Sequence, residues 1–173
     1  MMLRSLCSGL TIRRGRAADL ASVTAMQRAA ILALAAADYG MDGAEAWARW
    51  QAADAQSLLI HAGAVFVAED QAGAIVAVGS WRPDAEATEV GWIRAVFVSP
   101  DLARRGIGRR VMAAVEENAA IAGRSVLRLV SSGNARPFYE AIGYKAVAAR
   151  LWAIEPGLLL PCTLMEKPAP VIR

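Results

Sequence analysis

Between Glu89 and Ala122 the hydrophobic pattern changes period once, and that change limits the folds open to the chain. The stretch "EVGWIRAVFVSP" is β-branched and aromatic and stops at Pro100, which has no N–H to offer a continuing ladder. From Ile107 the apolar residues Ile107, Val111, Val115 and Ala119 recur every four positions, with Ala114 and Ala122 beside them, as in an amphipathic helix closed near Gly123. The two patterns are joined by "LARRGIGRR", in which Gly106 and Gly108 stand among Arg104, Arg105, Arg109 and Arg110. A strand that runs through such a loop into a helix needs a sheet for the helix stripe to cover.

The flanking segments supply that sheet. Leu10 to Arg13 reads as a short strand, and Asp19 stands at the N-cap of a long alanine-rich helix. A second helix follows, capped by Asp42, carrying Trp47 and Trp50 on one face and closed by Gly63. "AVFVAED", "QAG" and "AIVAVGSW" form a hairpin turning at Gly73, and "RPDAEAT" is a polar connection. Beyond the central unit come a strand, "SVLRLVSS", and a short helix, "NARPFYEAIG", ended by Gly143. Two closing strands, "YKAVAARLWAI" and "PCTLMEK", turn at Pro156 and Gly157. This order predicts an α/β or α+β domain occupying the whole chain, 1–173, with its core over about 10–168.

At 173 residues one core can be buried without disulfides or a structural metal. The two cysteines, Cys7 and Cys162, lie at opposite ends with no CxxC or Cys/His grouping, so no metal is expected and a reducing cytoplasm is the natural compartment. Charged residues interrupt every apolar stretch well before the roughly 20 residues a membrane span needs. Arg4, Ser5, Ser8 and Gly9 break the apolar start that a secretory signal requires. The net charge is only +3 and its one dense cluster is the loop, which argues for a local anion site and against a nucleic-acid face.

A loop leaving a strand and entering a helix gathers the unpaired N–H groups of the first helical turn around one point, with the positive end of the helix dipole behind them. Glycines let backbone approach a phosphate and take unusual φ/ψ, and arginines add charge and forked donors. A plain tight turn with a solvated helix end would use the same residues. A Walker loop is excluded because Arg109 and Arg110 follow Gly108 where Lys-Ser/Thr is needed, and a dinucleotide fingerprint because Val111 stands at the third glycine.

"VFVSPDLARRGIGRRV" resembles the pyrophosphate loop of the GNAT N-acetyltransferase superfamily, Gln/Arg-x-x-Gly-x-Gly/Ala after a strand ending apolar-x-apolar-x-Pro. Ala103 departs from it, standing at the Gln/Arg position. "SSGNARPFYEAIGY" is similar to the family's second motif, with Ala135, Tyr139, Gly143 and Tyr144 in place, Ser132 at the usual asparagine position and Asn134 two residues later.

The resemblance implies a mixed, mostly antiparallel sheet with helices on both faces and a splayed strand pair that holds acetyl-CoA. It implies direct acetyl transfer to a primary amine of a small molecule or peptide, with no metal, nucleic acid or membrane as partner and a homodimer compatible with it. The pantetheine would pair with Val96, Phe97 and Val98, and the pyrophosphate would lie on Arg104, Arg105, Gly106, Ile107, Gly108 and Arg109, with Ser132 or Asn134 adding a contact. Tyr139 matches the general acid, and Glu89, at the start of the central strand, is the candidate base ahead of Glu86 and Asp84. His61 reads as a capping or surface residue, and Cys162 as a poor nucleophile without a histidine partner. Tyr39, Trp47, Trp50 and Trp81 could line the acceptor pocket or simply pack helices on the sheet. A CoA-binding sensor without turnover is the competing reading, and a basic nucleic-acid binder a third.

Overall fold

The computed structural model describes residues 9–60 and 64–172; Cys7, His61 and Gly63 lie outside them. Within the described residues the apolar alternation of the sequence becomes one seven-stranded sheet. Its strands are β1 (Thr11–Arg14), β2 (Val65–Glu69), β3 (Ile75–Pro83), β4 (Val90–Val98), β5 (Val126–Ser131), β6 (Lys145–Glu155) and β7 (Leu158–Pro168). They lie side by side in the order β1-β2-β3-β4-β5-β7-β6. Every neighbouring pair is antiparallel except β4–β5. The mixed, mostly antiparallel sheet is the one expected from the sequence. The polar connection after the hairpin is shorter than predicted, because β3 continues through Pro83.

Period two along the strands separates two cores. On one face α3 (Ile107–Ile121) buries Ile107, Val111, Val115 and Ala119 against Ala77, Ile93 and Leu127, joined by Tyr139 of α4 (Arg136–Ala141). On the other, α1 (Leu20–Leu34) lays Val23 and Met26 over Val65, Val67 and Val78. The second helix, α2 (Ala36–Ile60), packs Trp47 and Ala44 against Ile154 and Leu160. The segment Ala17–Leu34 has a mean hydropathy of 1.2 over 18 residues, apolar enough by length and composition to cross a bilayer. Its apolar stripe faces the sheet.

Two helix starts differ from the sequence reading. Asp19 makes no side-chain cap on α1. Its carboxylate accepts instead from the Arg16 backbone N–H at 2.8 Å and from both terminal nitrogens of Arg13 at 2.8 and 2.9 Å. Arg13 also reaches Glu69 at 2.7 Å, so these ion pairs tie β1 to β2 and to the helix entry. Asp42 lies inside α2, which begins at Ala36 and kinks at Gly40, where φ is 69°. A left-handed residue cannot continue an α-helix, and the kink turns Asp38 and Tyr39 away from the axis of the rest.

Gly79 sets how closely α3 approaches the sheet. A Cβ there would meet Val111 Cγ1 at 2.9 Å and Val115 Cγ2 at 3.2 Å. Gly79→Ala should therefore cost about 1–3 kcal/mol through overpacking, read as a lower denaturation midpoint with an unchanged slope. An unchanged midpoint would show that α3 is not seated on Gly79.

Candidate active site

The decisive geometry lies between the two parallel strands. Only Val90, Gly91 and Trp92 of β4 pair with β5, opposite Val126, Leu127 and Arg128. Beyond them β4 stays on β3 while Leu129 to Ser131 stay on β7. The facing edges therefore part toward their C-terminal ends. The β4 side carries a bulge: Val78 opposes Phe97 and Ser80 opposes Arg94, so Gly79 faces both Ala95 and Val96. Ala95 takes φ 52°, a left-handed conformation that a Cβ makes unfavourable. A bulge twists and bends its strand, which swings Val96–Val98 from β5 and leaves backbone groups of that edge without ladder partners.

The open end of the gap meets the glycine–arginine loop. After a 3-10 turn at Pro100–Leu102 the chain passes Arg104 at φ 61° and Gly106 at φ 79°, and α3 starts at Ile107 with no side-chain cap. Of the two glycines expected to take unusual φ/ψ only Gly106 does so, and Arg104 is the other left-handed residue of the loop. Gly108 is helical, and its missing Cβ serves packing, since one would sit 3.3 Å from Phe138 Cζ and 3.4 Å from Val98 Cγ2. At that contact the end of β4, the first turn of α3 and α4 converge. Arg109 and Arg110 are held by protein carbonyls. Arg109 donates to Ala141 O at 3.1 Å, and Arg110 to Leu10 O at 3.0 Å.

The loop after β5 closes the other side. Ser132, buried, donates to Asn134 Oδ1 at 2.7 Å, and the Asn134 N–H donates to Asp38 Oδ2 at 2.6 Å. Asp38, unmarked in the sequence reading, thus seats the Ser132–Asn134 loop from the kinked start of α2. Gly133 must lack a Cβ there, because one would lie 2.8 Å from that carboxylate oxygen. Tyr39, beside Asp38, donates to Pro161 O at 2.8 Å. Tyr139 packs edge-on between Phe138 and Tyr144, and burial alone holds its phenol far above its ordinary pKa. Tyr144 donates to Glu116 Oε1 at 3.0 Å, and Lys167 donates to Glu116 Oε2 at 2.7 Å, which clamps the end of α4 to α3 and β7.

The fold of this chain is shared by solved structures. A GCN5-related N-acetyltransferase from Rhodopseudomonas palustris is 28% identical with a TM-score of 0.78, covering 92% of this chain and 96% of that one. The PaiA N-acetyltransferase of Thermoplasma acidophilum, solved with coenzyme A, shares the fold at 16% identity and a TM-score of 0.75, covering 92% and 98%. A phosphinothricin acetyltransferase of Sinorhizobium meliloti, solved with acetyl-CoA, shares it at 19% identity and 0.68, covering 93% and 89%. No curated protein matches significantly. The family model of the acetyltransferase (GNAT) domain matches residues 61–146. The chain belongs to the GNAT acetyltransferases.

In this GNAT domain Glu89 is not brought to the open end. It is exposed at the closed end of β4, where its carbonyl accepts from Ser125 and Val126 N–H at 2.9 and 3.1 Å. At about 3.3 Å per residue it stands about 23 Å along the strand from Val96. The strand start resembled the family's carboxylate region, but the parallel register puts it at the end where the strands still pair.

Two adjoining clefts open on the α1–α2 face. One, of about 330 Å³, is lined by Trp50 and Gln51 of α2, Arg82 of β3, Trp92 and Arg94 of β4 and Trp152 of β6. The other, about 360 Å³, shares Trp92 and Trp152 and adds Arg128, Arg150 and Cys162. Of the aromatics proposed for the acceptor pocket only Trp50 lines a cleft. Trp81 is buried under α3 with its indole on Asn118 at 2.9 Å, while Tyr39 and Trp47 pack beside Trp152 and Phe97. Cys162 is a free buried thiol pushed up by burial, the opposite of nucleophile activation. No cluster of His, Cys, Asp and Glu able to hold a metal occurs among the described residues.

Asp84 acts as an anchor. Its carboxylate accepts from Glu86 and Ala87 N–H at 2.9 Å and from the Trp92 indole N–H, so it fixes the β3–β4 turn and orients a cleft aromatic. These hydrogen bonds, the Ala87 one foremost, lower its pKa from 3.8 to about 2. Its folded pKa lies below the unfolded one, so the anchor contributes fully above about pH 4 and is lost as pH falls through about 2. An NMR titration of the Asp84 carboxyl carbon should give a midpoint near 2. A midpoint at the ordinary carboxylate value would remove Asp84 as the anchor of Trp92.

Proposed function

We propose that this GNAT domain, as a single unit over about residues 10–168, is an acetyl-CoA-dependent N-acetyltransferase acting on a primary amine by direct transfer. The observation that carries the proposal is the gap itself. An extended chain with amide groups fits where β4 and β5 leave facing edges unladdered, and a pyrophosphate fits the uncapped first turn of α3 at the mouth of that gap. Val96, Phe97 and Val98 would hold the pantetheine arm by backbone. The amides at Gly106 to Arg109 would hold the pyrophosphate, with Arg104 and Arg105 adding charge where Ala103 offers no side-chain donor.

Acetyl-CoA would supply a thioester carbonyl activated toward an amine. The amine nitrogen forms the new bond to that carbon, the carbon–sulfur bond breaks, the nitrogen sheds a proton to solvent, and the thiolate must gain one. Tyr139 is the donor in this proposal. Burial holds its phenol protonated, so at neutral pH it keeps the proton until an anion develops beside it. Asn134, exposed and held through its backbone by Asp38, presents its amide toward solvent at the loop, while Ser132 serves to orient it.

Calorimetry with acetyl-CoA and with CoA tests the cosubstrate; no binding at sub-millimolar concentration overturns the proposal. Tyr139→Phe should lower kcat by at least ~100-fold, the scale of general-acid catalysis, with acetyl-CoA affinity nearly intact. An unchanged kcat removes Tyr139 as the acid. Tight acetyl-CoA binding with no turnover across an amine panel would favour the CoA-binding sensor.

A further inference from the structure

We infer that β6 is the seam of a homodimer, in which the outer edges of β6 from two copies of this chain pair antiparallel about a two-fold axis at Leu151.

The sheet has two edges of different character. β1 is four residues long, and its Arg13 is committed to Asp19 and Glu69. A short, charged edge resists pairing with another chain. β6 is eleven residues long and, among the described residues, is laddered only to β7. Between its two bulges Ala148 to Ala153 keep unbroken register with β7, and Arg150 is the one charged residue in that run. A long, regular and weakly charged edge is a template for a further strand.

The β6–β7 hairpin also carries an exposed apolar stripe. Ala149, Leu151 and Ala153 stand opposite Thr163, Pro161 and Leu159 on one face. Leu151 is 65% exposed and Leu159 53%, and Ala149, Ala153 and Pro161 are exposed beside them. Farther along that face of β7, Met165 is buried in the core under α3. A second copy of the hairpin would take both the stripe and the open strand edge out of water.

Symmetry and charge select the register. A two-fold axis perpendicular to the sheet keeps every side chain on its own face, so either Arg150 or Leu151 must sit on the axis. With Arg150 there, two guanidinium groups would lie directly opposite, which destabilises a ladder. With Leu151 there, Leu151 meets its own copy, Ala149 faces Ala153, and Arg150 faces Trp152, which suits a guanidinium–indole pair. The ends of β6 are complementary as well, since Lys145 opens it and Glu155 closes it. Antiparallel pairing brings Lys145 of each copy to the Glu155 end of the other. Arg49 donates twice to Glu155, at 3.2 and 3.0 Å, and both bonds end on Oε1, so Oε2 can accept from that lysine.

The pairing joins two seven-stranded sheets and leaves the short β1 edges outermost, so assembly closes at two copies. It also reaches the larger cleft. Arg150 and Trp152 line that cleft of about 360 Å³, and Trp152 of the second copy would stand beside Arg150 at its rim. Each cleft thus gains a wall from the other chain.

Sedimentation velocity on the full chain from about 1 to 100 µM should show a monomer–dimer equilibrium, because one strand pair with an apolar stripe is an interface at the small end of the stable range. Leu151→Arg, at an exposed position, should weaken dimerisation by about tenfold or more with an unchanged circular dichroism spectrum. In a Cys7→Ser background, where Cys162 is buried, Leu151→Cys should give a disulfide-linked dimer on mild oxidation, because residues paired on the axis lie within disulfide reach. Val147→Cys should not, because the two copies of that position are about eight residues of strand, roughly 26 Å, apart. A monomer throughout the concentration range, a dimer that survives Leu151→Arg, or no cross-link through Leu151→Cys would overturn the inference. So would cross-linking through Val147→Cys or Arg150→Cys in preference to Leu151→Cys.

Discussion

Two parallel strands that pair for three residues and then separate set the terms for everything else in this protein. Leaving strand edges open costs hydrogen bonds that the chain could otherwise make, so the separation has to be imposed from both sides. On the β5 side six consecutive antiparallel pairs to β7 hold the strand away. On the β4 side the bulge at Ala95 and Val96 bends the strand, and its pairing to β3 resumes beyond it at Phe97 and Val98. The strained φ of Ala95 persists because both flanks are fixed in the sheet.

The helices then determine what the gap can reach. Gly79 lets α3 sit close over β3, and Gly108 lets Phe138 settle against the start of α3 and the end of β4. The uncapped helix start, the strand edge and Tyr139 are therefore positioned by the absence of two methyl groups. From the opposite face, the kink at Gly40 turns Asp38 onto the Asn134 N–H, so the second wall of the mouth depends on a helix distortion far away in sequence. The buried Tyr144–Glu116–Lys167 cluster adds a hydrogen-bonded ion pair that breaking one partner would leave uncompensated.

The parts legible in the sequence are those whose cause is local. Period two and period four located the strands and α3, positive-φ glycines ended α3, α4 and both hairpin turns, and the two motifs placed the loop and Tyr139. What stayed hidden depends on register or on distant packing. Whether a glycine is free in φ or merely small cannot be told from its letter, so Gly106 and Gly108 looked alike and are not. Asp19 and Asp42 carry the same capping signature, yet Arg13 and Arg16 claim one and an early helix start bypasses the other. Glu89 read as a carboxylate at the head of the right strand, and only the parallel pairing shows that this is the closed end. Asp38 and Gln51 carried no signal beyond lying on alanine-rich helices.

Four arginines stand together in the loop, and Arg109 and Arg110 among them are engaged with protein carbonyls. The four arginines of the clefts come from β3, β4, β5 and β6, and no segment of the chain displays them together. Strand alternation brings them to one face, and α2 sets a buried amide donor above them.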